Sequence, residues 1–186
     1  SPDRADARTY RNCKMECTKQ VEKKFELRKK QGGKYSAFLV EPVMQGPAGL
    51  IAQPKGWLSK VSNIARSHGT QIIADEVMTG LGRASDNTFA CHSENIQPDY
   101  LCIAKGLTGG YLPMAATITT QKVFDAFLGE YSEFKTFFHG HSFTGNPLGA
   151  AASLASLELL ESNKEKRIKL AKNIKDYSKK LWNLES

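Results

Sequence analysis

The sequence has no apolar run near the roughly 20 residues that a bilayer-spanning helix needs. Its opening stretch, Ser1 to Arg11, is polar and lacks the apolar core of a secretory signal. These absences predict a soluble, cytoplasmic protein with no membrane partner. Cysteine is scarce: the four thiols, Cys13, Cys17, Cys91 and Cys102, show no C-x-x-C spacing, which argues against a zinc ribbon or a disulfide framework and for a reducing compartment. His139 and His141 in H-G-H have no third histidine or carboxylate at ligand spacing, so loop hydrogen bonding is expected there and no metal. No internal repeat or low-complexity tract is present. The net charge of +7, from 26 basic against 19 acidic residues, is concentrated in Lys19 to Lys34 and Lys164 to Lys180. Both stretches read as solvated helix faces, and without a basic patch interleaved with aromatics no nucleic-acid partner is expected.

What is present suits a globular core: 186 residues, 40% of them hydrophobic. Cys17, Val21 and Phe25 recur every fourth position between Arg11 and Lys30, ahead of Gly32-Gly33, which predicts an amphipathic helix with a glycine stop. The run Ser36 to Val40 is a strand that ends at Glu41-Pro42, because proline removes a ladder donor and restricts the residue before it. A loop over Gln45 to Lys55, a helix from Trp57 to His68 and a strand from Gln71 to Val77 complete a strand-helix-strand unit with parallel strands. Met78 to Arg83 is a glycine-broken turn, and residues 84–98 read as an irregular connection. Further on, Ala115 to Thr120 is a strand and Val123 to Leu128 a short helix. Leu148 to Leu160 reads as a buried helix, and Glu161 to Leu184 as its charged continuation. The pattern predicts an α/β fold, a three-layer α/β/α arrangement with a mostly parallel sheet.

The chemistry centres on Asp99 to Pro113. A short apolar strand, Tyr100 to Ala104, stops at Lys105, and Gly106, Gly109 and Gly110 follow at once. Ligands of open α/β sheets collect at the carboxyl ends of strands, where a partly desolvated lysine becomes nucleophilic; a solvated lysine opening an ordinary loop is the plainer alternative. Asp75 falls near the end of the preceding strand. A carboxylate for a protonated ring nitrogen beside an amine for an aldehyde is the donor pair that pyridoxal phosphate uses, whereas a buried aspartate bonded to backbone donors would satisfy the same spacing. Ser142 and Thr144 precede a helix with Asn146 as N-cap and Pro147 at N1, a place for a phosphate or for simple capping. Glu41 either orients loops near the site or is a surface acid, Met78 and Met114 are packing residues, and Arg83 is expected to pair with a nearby carboxylate, with contact to a ligand as the alternative.

The segments E-P-V-M-Q-G-P-A-G at 41–49, I-A-D-E-V-M-T-G-L-G-R at 73–83 and A-K-G-L-T-G-G-Y-L-P at 104–113 resemble, in the same order, the class III (subgroup II, fold type I) pyridoxal-phosphate-dependent aminotransferases. The stretches 109–120 and 135–148 are most similar to the biotin-pathway branch, whose members move an amino group from S-adenosylmethionine to 8-amino-7-oxononanoate. The resemblance implies that Asp75 holds the pyridine nitrogen, Val77 packs on the ring and Lys105 holds the aldehyde. It implies that Ser142, beside His141, reaches the phosphate of the neighbouring subunit's cofactor in a homodimer with shared active sites. It places Gly110 and Tyr111 near the substrate entrance. Met78 stands where many members have a glutamine that the biotin branch also lacks, and Ala84-Ser85 replaces a usual Thr-Gly.

The resemblance further implies that residues 1–150 are part of a large cofactor-binding domain and that 151–186 lead toward a small C-terminal domain. The family's N-terminal phosphate-binding turn, ring-stacking aromatic and C-terminal arginine have no counterpart in residues 1–186, so this stretch is expected to be an internal piece without turnover of its own. Within the class, a donor such as lysine, or an ornithine-type or ω-amino-acid specificity, is the alternative. From another class, a non-catalytic phosphate-binding or dimerisation module is the competing expectation.

Overall fold

The computed structural model describes residues 13–84 and 86–182; the polar stretch Ser1 to Arg11, Ser85 and the end of the last expected helix lie outside them. Helix α1, Glu16–Lys30, carries Glu16 in its first turn and Arg28, Lys29 and Lys30 in its last, each sign where the helix dipole favours it. It ends where Gly32 turns at φ 74° and the Gly33 N–H reaches the Arg28 carbonyl. Its expected stripe is its packed face: Phe25 is buried with Val21 against it, and Cys17 Sγ accepts from Trp57 Nε1 at 3.2 Å.

Strands β1, Ala37–Val40, and β4, Gln71–Asp75, flank helix α2, Trp57–Ser67. They pair in parallel with Phe38 opposite Ile72 and Val40 opposite Ala74. Helix α2 starts after Gly56, which has no capping side chain. Glu94 supplies the cap instead: its two carboxylate oxygens accept from the Gly56 and Ser59 N–H groups at 2.8 Å each, placing negative charge at the positive end of the helix dipole. Asp99 ties β4 to β5, Tyr100–Ile103, by accepting from the Ile72 N–H at 2.7 Å. β5 pairs in parallel with β4 and antiparallel with the edge strand β6, Ala116–Thr119. The main sheet therefore runs β1-β4-β5-β6 and is mostly parallel, an α/β fold as expected.

Several expectations change. The loop over 45–55 holds a small hairpin, β2 (Met44–Gln45) with β3 (Ile51–Ala52), and Glu41 orients it, its carboxylate accepting from the Gly46 N–H at 2.8 Å. The β4 strand stops at Asp75 rather than Val77. The connection 84–98 contains a 3₁₀ turn, Ala90–Glu94, whose first two residues, Ala90 and Cys91, are buried. Short helix α3, Gln121–Asp125, is capped by Thr120. Helix α4, Pro147–Ser162, was expected to be buried, yet Leu148, Leu154 and Leu159 are each more than 60% exposed. Its buried positions are Gly149 and Ser153, because small side chains let its backbone approach the segment after Lys105. The charged stretch is a separate helix, α5, Lys164–Trp182, begun where Asn163 turns its side-chain amide back to the Leu159 carbonyl. Residues 150 and 151, either side of the expected domain division, both lie within α4.

The core lies on one face of the main sheet. Val40, Ile72, Ala74, Leu101 and Ile103 point into it with Leu58 and Ala65 of α2. By the strand period of two, Leu39, Ile73, Asp75 and Cys102 point to the other face, where Leu39 is 64% exposed.

Candidate active site

Lys105 follows β5 with an alanine between, at the carboxyl end of the parallel strands. It opens a 3₁₀ turn, Lys105–Thr108, in the left-handed region at φ 44°, a conformation that costs a non-glycine residue on the order of 1–2 kcal/mol. The turn closes through Gly109 and Gly110, at φ 63° and 86°, where the Gly110 N–H donates to the Lys105 carbonyl at 3.2 Å. Glycine suits both positions because their φ values, more than space, exclude a side chain.

A cavity of about 1770 Å³ opens beside this turn, and Lys105, Gly110, Tyr111 and His141 all line it, together with Arg83 and Asn146. The volume exceeds the roughly 300–1,000 Å³ of a closed small-molecule site, so the described residues form an open cleft rather than an enclosed pocket. His141 is fixed by its neighbours: its Nδ1 accepts from the Phe143 N–H at 3.1 Å, and its backbone N–H donates to Thr144 Oγ1 at 3.0 Å. Neutral His141 therefore carries its ring proton on Nε2. Arg83 has no ion-pair partner among the described residues, so the expected carboxylate pairing is not seen and the guanidinium stands at the cavity wall.

Asp75, Val77 and Ser142 do not line the cavity. Asp75 ends β4 opposite Cys102 in the parallel register, one strand over from the strand that delivers Lys105. Its Oδ1 accepts from the Val77 N–H at 3.1 Å, which fixes the backbone leaving the strand and leaves further acceptor capacity on the carboxylate. Val77 is half-buried and Ser142 exposed in the turn before α4. The α4 terminus is capped as expected, Asn146 Oδ1 accepting from the Gly149 N–H at 2.7 Å.

Glu76 is a residue that the sequence pattern does not single out. It is 1% exposed, next to Asp75 in the chain and on the core side. One carboxylate oxygen accepts from the Thr79 hydroxyl and the Ala90 N–H at 2.9 Å each, and the other from the Cys91 N–H at 2.7 Å. Gly80 is required beside it, since a Cβ there would lie 2.8 Å from the Glu76 carbonyl oxygen. The turn it braces carries Leu81, buried and at φ 58°, whose side chain lies against Gly106, directly after Lys105.

Burial first, and then the neighbouring Glu76 carboxylate, push the Cys91 thiol from 9.0 up to about 12. The folded state keeps a proton that the unfolded chain releases, so this contribution is complete below pH 9 and disappears as pH rises toward 12. Denaturation midpoints of the full-length protein are expected to fall through that alkaline window, and less steeply in Cys91→Ala. Parallel slopes for the two proteins would show that Cys91 does not contribute.

A family model for class-III aminotransferases matches residues 3–184. The chain belongs to the class-III aminotransferases. It is 50% identical over 152 residues to an adenosylmethionine-8-amino-7-oxononanoate aminotransferase of Geobacter sulfurreducens, covering 82% of this chain and 33% of the relative. The solved adenosylmethionine-8-amino-7-oxononanoate aminotransferase of Methanocaldococcus jannaschii superposes at a TM-score of 0.81 with 37% identity, over 92% of this chain and 39% of that one. The ornithine aminotransferase of Toxoplasma gondii, described with partial occupancy of PLP at its active site, gives 0.67 with 28% identity, over 79% of this chain and 31% of that one. The chain thus spans about a third of the length of the curated relatives it matches. Class-III membership and these neighbours give it the fold type I architecture.

Proposed function

We propose that the full-length protein is a cytoplasmic pyridoxal 5'-phosphate-dependent aminotransferase of biotin biosynthesis, moving an amino group from S-adenosylmethionine to 8-amino-7-oxononanoate to give 7,8-diaminononanoate. The observation that carries this reading is Lys105, a primary amine on the cavity wall at the carboxyl end of a parallel strand, with Asp75 ending the adjacent strand. The donor set fits the cofactor: an amine for an aldehyde, a carboxylate with spare acceptor capacity for a protonated ring nitrogen, and a histidine N–H beside a helix start for an anion. The printed names of the relatives support the choice of substrates.

Once bound, the cofactor supplies an electron sink for the carbanion formed when a substrate amine loses its α-proton. Lys105 holds the aldehyde covalently and then, as a free amine, moves that proton at Nζ. Asp75 keeps a positive ring nitrogen in place, and Val77 limits movement of the ring. Ser142 and His141 bind phosphate from the neighbouring subunit's side, and Gly110 and Tyr111 border substrate entry. Residues 1–150 belong to the large domain, and 151–186 lead out of it.

The exposed rings Phe137 and Phe143 at the cavity rim favour a homodimer in which a second copy closes the cleft. Light scattering of the full-length protein is expected to give a dimer mass; a monomer with full activity would remove the shared site. For the donor, product formation from 8-amino-7-oxononanoate should require S-adenosylmethionine. Turnover with lysine instead would move the protein to the lysine-using reading, and turnover with neither would end the biotin-pathway assignment.

A further inference from the structure

Lys105 is held in a left-handed turn by contacts from two sides. Leu81 packs against Gly106 from the Glu76 side. From the other side, Ser156 on α4 donates its hydroxyl to the Gly106 carbonyl at 3.0 Å, across 50 residues of chain. The same hydroxyl lies 3.6 Å from the place a Cβ on Gly109 would occupy. Helix α4 seats on this turn along Gly149, Ser153 and Ser156, one helical face of small residues. Ser153 is satisfied by its own helix and by Met114, donating to the Gly149 carbonyl at 2.8 Å. Ser156 alone among these turns its hydroxyl to the backbone directly after the lysine.

We infer that Ser156 is a positioning residue for Lys105: by holding the Gly106 carbonyl it fixes the turn that directs the lysine side chain into the cavity. This rests on the reading of Lys105 as the cofactor-binding lysine. The Gly106 carbonyl lies in the second peptide plane after the lysine, inside the Lys105–Thr108 turn, so a bond to it opposes relaxation of that turn and of Lys105 out of its costly φ. A hydroxyl is needed because alanine leaves the carbonyl without this donor and cysteine donates weakly.

The test uses the full-length protein as wild type, Ser156→Ala, Ser156→Cys and Ser156→Thr. Without cofactor, amide exchange in a peptide spanning 104–112 is expected to rise about tenfold in the alanine and cysteine variants and to stay near wild type with threonine. With pyridoxal phosphate, the alanine and cysteine variants should shift the pH midpoint of the visible absorption of the lysine-bound cofactor and lose about tenfold in kcat with KM little changed. Threonine should restore both. Unchanged exchange and midpoint in Ser156→Ala would overturn the proposal, as would equal losses in all three variants. If Ser156→Ala does not fold, Ser156→Cys, nearly the same size as the native residue, decides between these outcomes. Absence of a Lys105 adduct in the wild type would instead count against the lysine reading, while the exchange arm still judges Ser156.

Discussion

Lys105→Ala in the full-length protein is expected to lower transamination by at least the roughly 10²- to 10⁴-fold attributable to a positioned acid-base group. The loss should be larger than that group's share, because in the proposed function the same amine also holds the aldehyde. Lys105 is exposed on the cavity wall with its ammonium free of any ion pair among the described residues, so removing it leaves no buried charge and little reason for misfolding. The thermal midpoint without cofactor should therefore stay close to wild type while the rate collapses. Lys135→Ala is the matched control: that lysine is engaged with Glu133 at 2.8 Å on an exposed loop, and its removal should leave the rate unchanged. A Lys105→Ala enzyme within tenfold of wild type would mean that the lysine does not carry the chemistry.

Glu76→Ala should be the most destabilising single change near the site. It removes one buried carboxylate and strands the Thr79 hydroxyl and the Ala90 and Cys91 N–H groups together. At about 1–3 kcal/mol for each donor left unsatisfied, and with partial rescue by water, a loss of about 3–5 kcal/mol is expected. Glu76→Gln keeps an acceptor but turns an NH₂ group toward a donor, so it should fall between the two. Urea midpoints of the full-length protein measure this. A loss under about 1 kcal/mol in the alanine variant would show that the turn stands without Glu76.

The strand-helix-strand unit was legible because its apolar residues follow the periods of a strand and a helix, and Glu41-Pro42 and Gly69 mark its ends. Lys105 was legible because an apolar strand breaks at one lysine before three glycines. Glu76 was not, although the period of two carried on from Ile72 and Ala74 already sends it to the core face and Asp75 to the other; what the pattern does not carry is the set of donors from Thr79, Ala90 and Cys91 that lets a carboxylate occupy that buried position. Helix α4 misled for another reason. Its leucines promised burial, but of them Leu160 packs against the core, while the face seated on the turn after Lys105 is Gly149, Ser153 and Ser156, which contribute little to hydropathy and a great deal to close approach. The N-cap Asn146 and the loop before it were found correctly, whereas which of His141 and Ser142 borders the cavity depended on the turn at 142–145.

The central claim is that Lys105 binds the cofactor covalently. The most direct measurement is to incubate the full-length protein with pyridoxal phosphate, reduce it with borohydride and locate the adduct by peptide mass spectrometry. Modification confined to Lys105, and absent in Lys105→Ala, is the predicted result. A stoichiometric adduct elsewhere, or none in a folded full-length protein, would contradict it.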